Sequence, residues 1–460
     1  GGATNGTLGT ITNIASQILI FSDAVTATTI ANYGTLLFNA TSAKTISSNI
    51  TDNNTTVLQV INSADNAPGI ITFSGNIVAD TITIGTTANA GSALFNGTVT
   101  HSSTSNINIV GGNVNAEDSL ANFANTVTVT AITLDDNTGD ATATFSGSSK
   151  TITGTINGVG ATEGTVTVTG TPTFANTIGD SYRTAQLTIG GATTFQAAVQ
   201  TAALTTTAAI SGGTTLNVST TSNLGANVTT TGTQTYSGAV TLSGGARTLQ
   251  GSTITTQGTL AGGNQNLIIT GNAVFGNGTG DTVTGVGTLN ITGNTTIHTN
   301  TITTSGTQIY GNATSDTIVI GTATTLTTTN SQITFTGLVD SQSGQTNCSD
   351  WSNCSAGTYA LGGNTSHDRT CPLCAPGFYQ DTIQHSDSVC KTIPLGHQGQ
   401  ITENGNYTAN GAVYVVPCKF GTFGNGSNAC SSLAGKQTQL KYTTIGGSYS
   451  DDFPVQNAVD

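Results

Sequence analysis

Charge is nearly missing from this chain: only 7% of its 460 residues are Asp, Glu, Lys or Arg, against roughly 25% in ordinary soluble proteins. Thr, Ser, Asn and Gly must supply the solubility instead, and Thr is β-branched, which suits a pleated strand better than a helix. Basic residues are scarcest. Nine Lys and Arg against 22 Asp and Glu leave a net charge of −13, which excludes nucleic acid as a partner, since that affinity rests on basic side chains neutralising phosphates. No apolar run approaches the roughly 18 residues of a membrane-spanning helix, so no transmembrane segment is expected, and no charged-then-apolar leader opens the chain. Methionine is absent, so residue 1 is expected to arise by processing, or the chain to be a piece of something longer.

Acid–base groups are equally thin. Glu occurs three times, at Glu117, Glu163 and Glu403, and between Arg183 and Asp281 the sole charged residue is Arg247. Catalysis on polysaccharides needs paired carboxylates or an acidic cluster beside a base, so no enzyme and no cofactor are expected. The best acidic group, Asp135-Asp136-Asn137-Thr138-Gly139-Asp140, places Asp135, Asn137 and Asp140 like half of a calcium loop but lacks the closing Glu. A polar turn is the favoured reading, because turns select the same residues. Asp451-Asp452 is read as a solvated pair.

What fills the chain is alternation. Thr81 to Ile84 (TITI), Thr126 to Thr130 (TVTVT) and Thr165 to Thr169 (TVTVT) are period-2 strings ended by Gly, Asn or Asp, the mark of short strands. Superimposed on them, an aromatic, in most cases followed within two residues by Gly or Asn, recurs at Phe73, Phe95, Phe123, Phe145, Phe174, Phe195, Tyr236, Phe275, Tyr310 and Phe335, begun by Phe21 and Phe38. Steps of about 17 to 29 residues, or nearly twice that where one mark is missing, suit coils of roughly 20 residues stacked in one dimension. The expected fold is all-β: a parallel β-helix (β-solenoid) over residues 1–340, its aromatics forming an interior ladder in which each ring stacks on the next. Thr231 to Leu242 (TGTQTYSGAVTL) and its echo Ser305 to Ile320 resemble repeats of bacterial filamentous-haemagglutinin-type and autotransporter passenger proteins. That resemblance implies a right-handed β-helix exported to the cell surface, serving in adhesion or as a stalk. The outer-membrane barrel strands that would follow are not seen.

All seven cysteines lie between Cys348 and Cys430, which means disulfides or a metal site. One CxxC, Cys371 to Cys374, falls short of the paired elements of a zinc site, and His101, His298, His367, His385 and His397 add no such pair; no metal is expected. Cys, two residues, Gly, one residue, aromatic occurs three times: Cys354-Gly357-Tyr359, Cys374-Gly377-Tyr379 and Cys418-Gly421-Phe423. Each copy is followed by a further cysteine, and the text resembles small ephrin-receptor and tumour-necrosis-factor-receptor modules. The resemblance implies pairings Cys354–Cys371, Cys374–Cys390 and Cys418–Cys430, with Cys348 left unpaired or intermolecular. Trp351, in Asp350-Trp351-Ser352-Asn353-Cys354, resembles the start of a thrombospondin repeat, but a lone aromatic over a disulfide is preferred.

The expected organisation is therefore a solenoid (1–340), a small disulfide-rich region (341–433) and a strand-like tail (434–460) around Thr438 to Thr444. Asn-x-Ser/Thr sequons, among them Asn39, Asn96, Asn290 and Asn364, are glycosylation candidates. The function expected is that of an extracellular or cell-surface structural protein, a filament subunit assembling through solenoid ends or terminal strands. The alternative is an adhesin with a solenoid stalk and a cysteine-rich tip that meets surface glycans or protein receptors.

Overall fold

The computed structural model describes residues 8–341, apart from 53–55, 62–68, 102–104, 115–116 and 322–323. From 356 to 432 it describes short stretches, of which 371–381 and 410–418 are the longest. The chain divides into two compact units, Gly1–Gly344 and Gln345–Asp460.

The first unit is a parallel β-solenoid of about 14 turns. Its strands pair in parallel with those one coil before and one coil after, in three continuous walls. The first wall runs from Leu8–Asn13 through Ala27–Asn32 and Asn49–Asp52, and ends at Ile333–Phe335. The second starts at Ile18–Phe21 and Thr35–Asn39 and ends at Leu338–Ser341. The third passes through Lys44–Ile46 and Ile71–Phe73 to Thr325–Thr328. Some long strands, such as Val127–Asp135 and Arg247–Thr256, turn a corner and serve the first wall and then the second.

Alternation decides which side chains go inside. Along Thr81–Ile84 the two isoleucines are buried and the threonines half-exposed, as a period-2 strand with one solvated face requires. The inward residues from Val25 to Ile318 join in one core. Coil length varies: the coil that carries Leu187 to its partner Leu204 is much shorter than the one that carries Phe95 to Phe123. Corner loops absorb the difference while the walls keep register.

Corners are where a parallel ladder leaves amides without strand partners, and asparagine fills that gap. Asn49 Oδ1 accepts the N–H of Asn76 at 2.9 Å, and Asn76 Oδ1 in turn accepts that of Thr98 at 3.0 Å. Asn272, Asn294 and Thr317 repeat the relay at 3.0 and 2.8 Å. Each side chain thus satisfies a backbone donor one coil further on. The glycine that follows an aromatic serves by lacking bulk: a Cβ on Gly97 would lie 2.0 Å from Gly75 O, and one on Gly238 would lie 1.4 Å from Thr220 O.

In the second unit, Cys374 and Cys390 form a disulfide, and Cys371 and Cys418 are also disulfide-bonded. Phe378–Tyr379 pairs antiparallel with Lys391–Thr392, and Thr422–Phe423 with Ser431–Ser432. In both, the aromatic that follows the motif glycine faces the residue just after the closing cysteine position, so two copies of the motif share this strand pairing. Cys348, Cys354 and Cys430, Trp351, Asn364 and the expected tail strand at Thr438 to Thr444 lie outside the described residues.

Candidate functional site: ladder, corners and open ends

From Phe38 to Tyr310 the aromatics are buried, with Phe21 half-buried and Phe335 exposed at the ends, and they do not form one uninterrupted file. Phe21 and Phe38 are in register on the second wall, and Phe73, Phe95, Phe123 and Phe145 follow one another on the third. Phe174 and Phe195 are neighbours on the first. Within a wall the rings stack, at centroid distances of 5.1 to 5.4 Å and interplanar angles of 7 to 23°. Where the series changes wall the rings meet edge to face, Phe38 on Phe73 at 5.1 Å and 89°, and Phe145 on Phe174 at 5.0 Å and 85°. Both arrangements suit the ring quadrupole. At each jump an aliphatic takes the register site, Val60 beside Phe38 and Val168 beside Phe145, and the next aromatic lies on the following wall. After Phe195 the register partner is Gly212, and stacking resumes only at Tyr310 and Phe335. Tyr236 and Phe275 share a column, but Thr256 stands between them.

Both tyrosines carry a buried polar network. Tyr236 donates its hydroxyl to Gln234 Oε1 at 2.9 Å, and Gln234 Nε2 reaches Val228 O, Thr230 Oγ1 and Gln250 O at 3.1, 3.4 and 2.7 Å. Tyr310 and Gln308 repeat it on Ile302 O, Thr304 Oγ1 and Thr327 O. Burial pushes both phenols well above the usual tyrosine range. The two networks belong to the two echoing segments singled out in the sequence, yet they occupy different corners. Gln234–Tyr236 enters the second wall, and Gln308–Tyr310 enters the first. Sequence reading found the tyrosines but missed the glutamines, although Gln-x-Tyr after Thr-Thr-x-Gly-Thr was a visible signal.

Among the described residues, the charged groups make mostly structural contacts with the backbone. Asp136, flanked by the calcium candidates, commits both oxygens to backbone amides, those of Ala141 at 2.7 Å and Gly164 at 2.6 Å. Asn137 donates to Gly111 O, and the N–H of Asp140 donates to Asp118 Oδ1. Burial, then the nearby Asp118 and Asp136 charges, raise the Asp140 carboxyl above its ordinary value. Among the described residues no three His, Cys, Asp or Glu side chains gather to hold a metal. Arg247 is buried and gives its hydrogen bonds to the backbone carbonyls of Leu224, Ser243 and Ala246, which makes it a corner brace. Among the described residues no helix is long and apolar enough to cross a membrane.

The most reactive surfaces are the two open edges. Among the described residues, Leu8–Asn13 and Ile18–Phe21 pair on one side only, and so do Thr325–Thr328, Ile333–Phe335 and Leu338–Ser341. Apolar side chains collect there: Leu8, Ile14, Ile18 and Ile20 at one end, Phe335 and Leu338 at the other, with Ile18 65% and Leu338 68% exposed. None of these five strands contains a lysine or a proline, the residues that commonly blunt an edge.

Set against family models, curated proteins and solved structures, the chain matches none of them.

Proposed function

We propose that this chain is an exported structural subunit of the cell surface that assembles into fibres, the last coil of one copy stacking on the first coil of the next. The open edges carry this reading. Among the described residues, Leu8–Asn13 and Ile18–Phe21 at one end and Thr325–Thr328, Ile333–Phe335 and Leu338–Ser341 at the other pair on one side only, so the end of one copy offers what the beginning of another lacks. Such a head-to-tail contact is heterologous, and when it does not close into a ring it grows into a filament. Export is supported by the Cys374–Cys390 disulfide, since such bonds persist in oxidising compartments. The text resemblance to exported bacterial passenger repeats agrees with it.

Electron microscopy of unreduced protein, paired with sedimentation under native conditions, tests the proposal. Fibres with an axial repeat at the coil spacing, abolished by Ile18→Lys and Ile20→Lys while the β-type circular dichroism is kept, are the expected result. Compact monomers at all concentrations would overturn it. Isolated rods that lose surface binding on removal of Ser341 to Asp460 would favour the adhesin reading.

A further inference from the structure

Two loops of the solenoid are copies of each other. Phe275-Gly276-Asn277-Gly278-Thr279-Gly280-Asp281-Thr282 and Tyr310-Gly311-Asn312-Ala313-Thr314-Ser315-Asp316-Thr317 share the same local conformation, opened by glycines with φ of 77° and 78°. In each, the aspartate four residues on accepts the N–H of the asparagine, Asp281 from Asn277 at 3.0 Å and Asp316 from Asn312 at 2.8 Å. In each, the asparagine begins an Asn-x-Thr sequon. Asn277, Thr279, Asn312 and Thr314 are all exposed, and among the described residues neither asparagine side chain makes a hydrogen bond.

The other described sequons differ. Asn49, Asn227 and Asn294 have committed their amide oxygen to the corner relay, accepting from Asn76, Thr248 and Thr317. Asn217 accepts from Arg183, and Asn39 is also engaged. Asn290 sits mid-strand between Ile268 and Ile309 of the adjoining coils, at about the 4.8 Å spacing of paired strands. Asn96 is exposed, but its corner is stacked: a Cβ on Gly97 would meet Gly75 O at 2.0 Å. By contrast, a Cβ on Gly278 or Gly280 would meet nothing within 4 Å. Solenoid geometry therefore sorts the sequons, setting aside Asn39 and Asn290 and favouring two that the sequence did not distinguish.

We propose that Asn277 and Asn312 are the N-glycan acceptors of the solenoid. The donor is a polyprenyl-diphosphate oligosaccharide. Nδ2 of the asparagine forms a bond to the sugar's anomeric carbon as the carbon–oxygen bond to diphosphate breaks; Nδ2 gives up one proton and the polyprenyl diphosphate leaves. The exposed threonine two residues on completes the recognised triplet. Glycans at these corners project sideways and leave both coil ends free. The inference shares with the proposed function only the assumption of export.

Secretion of the full chain from a eukaryotic host supplies export and the donor, so the outcome does not depend on whether fibres form. Glycosidase release in ¹⁸O-water, with peptide mass spectrometry, reads occupancy at each sequon. Occupied Asn277 and Asn312, with Asn217 and Asn290 empty, is expected, and Asn277→Gln and Asn312→Gln should each remove one glycan from the intact mass without changing circular dichroism. Empty Asn277 and Asn312 in folded, secreted protein would overturn the proposal, as would occupancy at Asn217 and Asn290 in their place.

Discussion

The solenoid before Phe195 and the solenoid after it build the same three walls around different interiors. Between Phe38 and Phe174 the coils are long, one carrying Phe73 to Phe95 and the next Phe95 to Phe123, and phenylalanine rings run in file. From Leu187 to Tyr236 the coils shorten, as the pairings of Leu187 with Leu204 and of Val218 with Tyr236 show, and they lengthen again toward Phe335. There the interior is filled by aliphatics such as Val218, Leu224 and Val228, with the Gln–Tyr networks inserted among them. Parallel pairing tolerates either filling because only backbone register is shared from coil to coil. Interior chemistry is a local choice.

The comparison can be broken most strongly at Phe123, which has a stacked ring on each side. Phe123→Ala should cost about 3–5 kcal/mol, the usual loss for a buried ring. Hydrogen exchange should quicken in the coils of Phe95 and Phe145 first, because each coil contacts only its neighbours; uniform quickening would mean the whole solenoid unfolds as one unit.

A smaller effect separates the two units. Cys374→Ser with Cys390→Ser opens a loop closed by residues 16 apart, worth about 3 kcal/mol. Loss of protection confined to Gln345–Asp460, with the solenoid's circular dichroism unchanged, is expected. Loss in both units would show that the second one stabilises the first.

The mildest probe is Tyr236→Phe, which leaves Gln234 Oε1 buried without its donor and should cost about 1–3 kcal/mol. Tyr310→Phe should match it if the two networks are equivalent. The same pair gives a pH signature. Burial raises both phenols in the folded state, so the folded form holds its protons while the unfolded chain loses them. Their contribution is complete below the unfolded tyrosine value, about 10, and shrinks as pH rises past it. Denaturant midpoints at pH 9 and pH 11 should fall less in the double variant than in the parent.

Much of this was legible because a solenoid writes its period into the text. Alternating Thr and Ile fixed the walls' inner and outer faces, and Phe or Tyr followed by Gly marked the corners. The jumps of the ladder were not legible. Whether Phe174 stands on the wall of Phe145 depends on how many residues the intervening corners absorb, a sum over loops that no local pattern reveals. The sequons failed for a related reason: Asn294 and Asn312 look alike in sequence, and only the coil above shows that one is already a backbone acceptor. At the calcium-like spacing, Asp136, the residue between the candidates, makes the contacts of a turn, the reading the residue types favoured.

Parallel walls also have a mechanical meaning. Their hydrogen bonds lie along the long axis, so an axial pull loads one coil's bonds at a time, as in opening a zip. A coil gives up about 4.8 Å of rise and releases about 3.3–3.6 Å for every residue it holds. Even the shorter coils, such as the one from Leu187 to Leu204, would therefore lengthen roughly tenfold or more at low force, each independently of the rest. A strut made this way yields gradually under load, coil by coil.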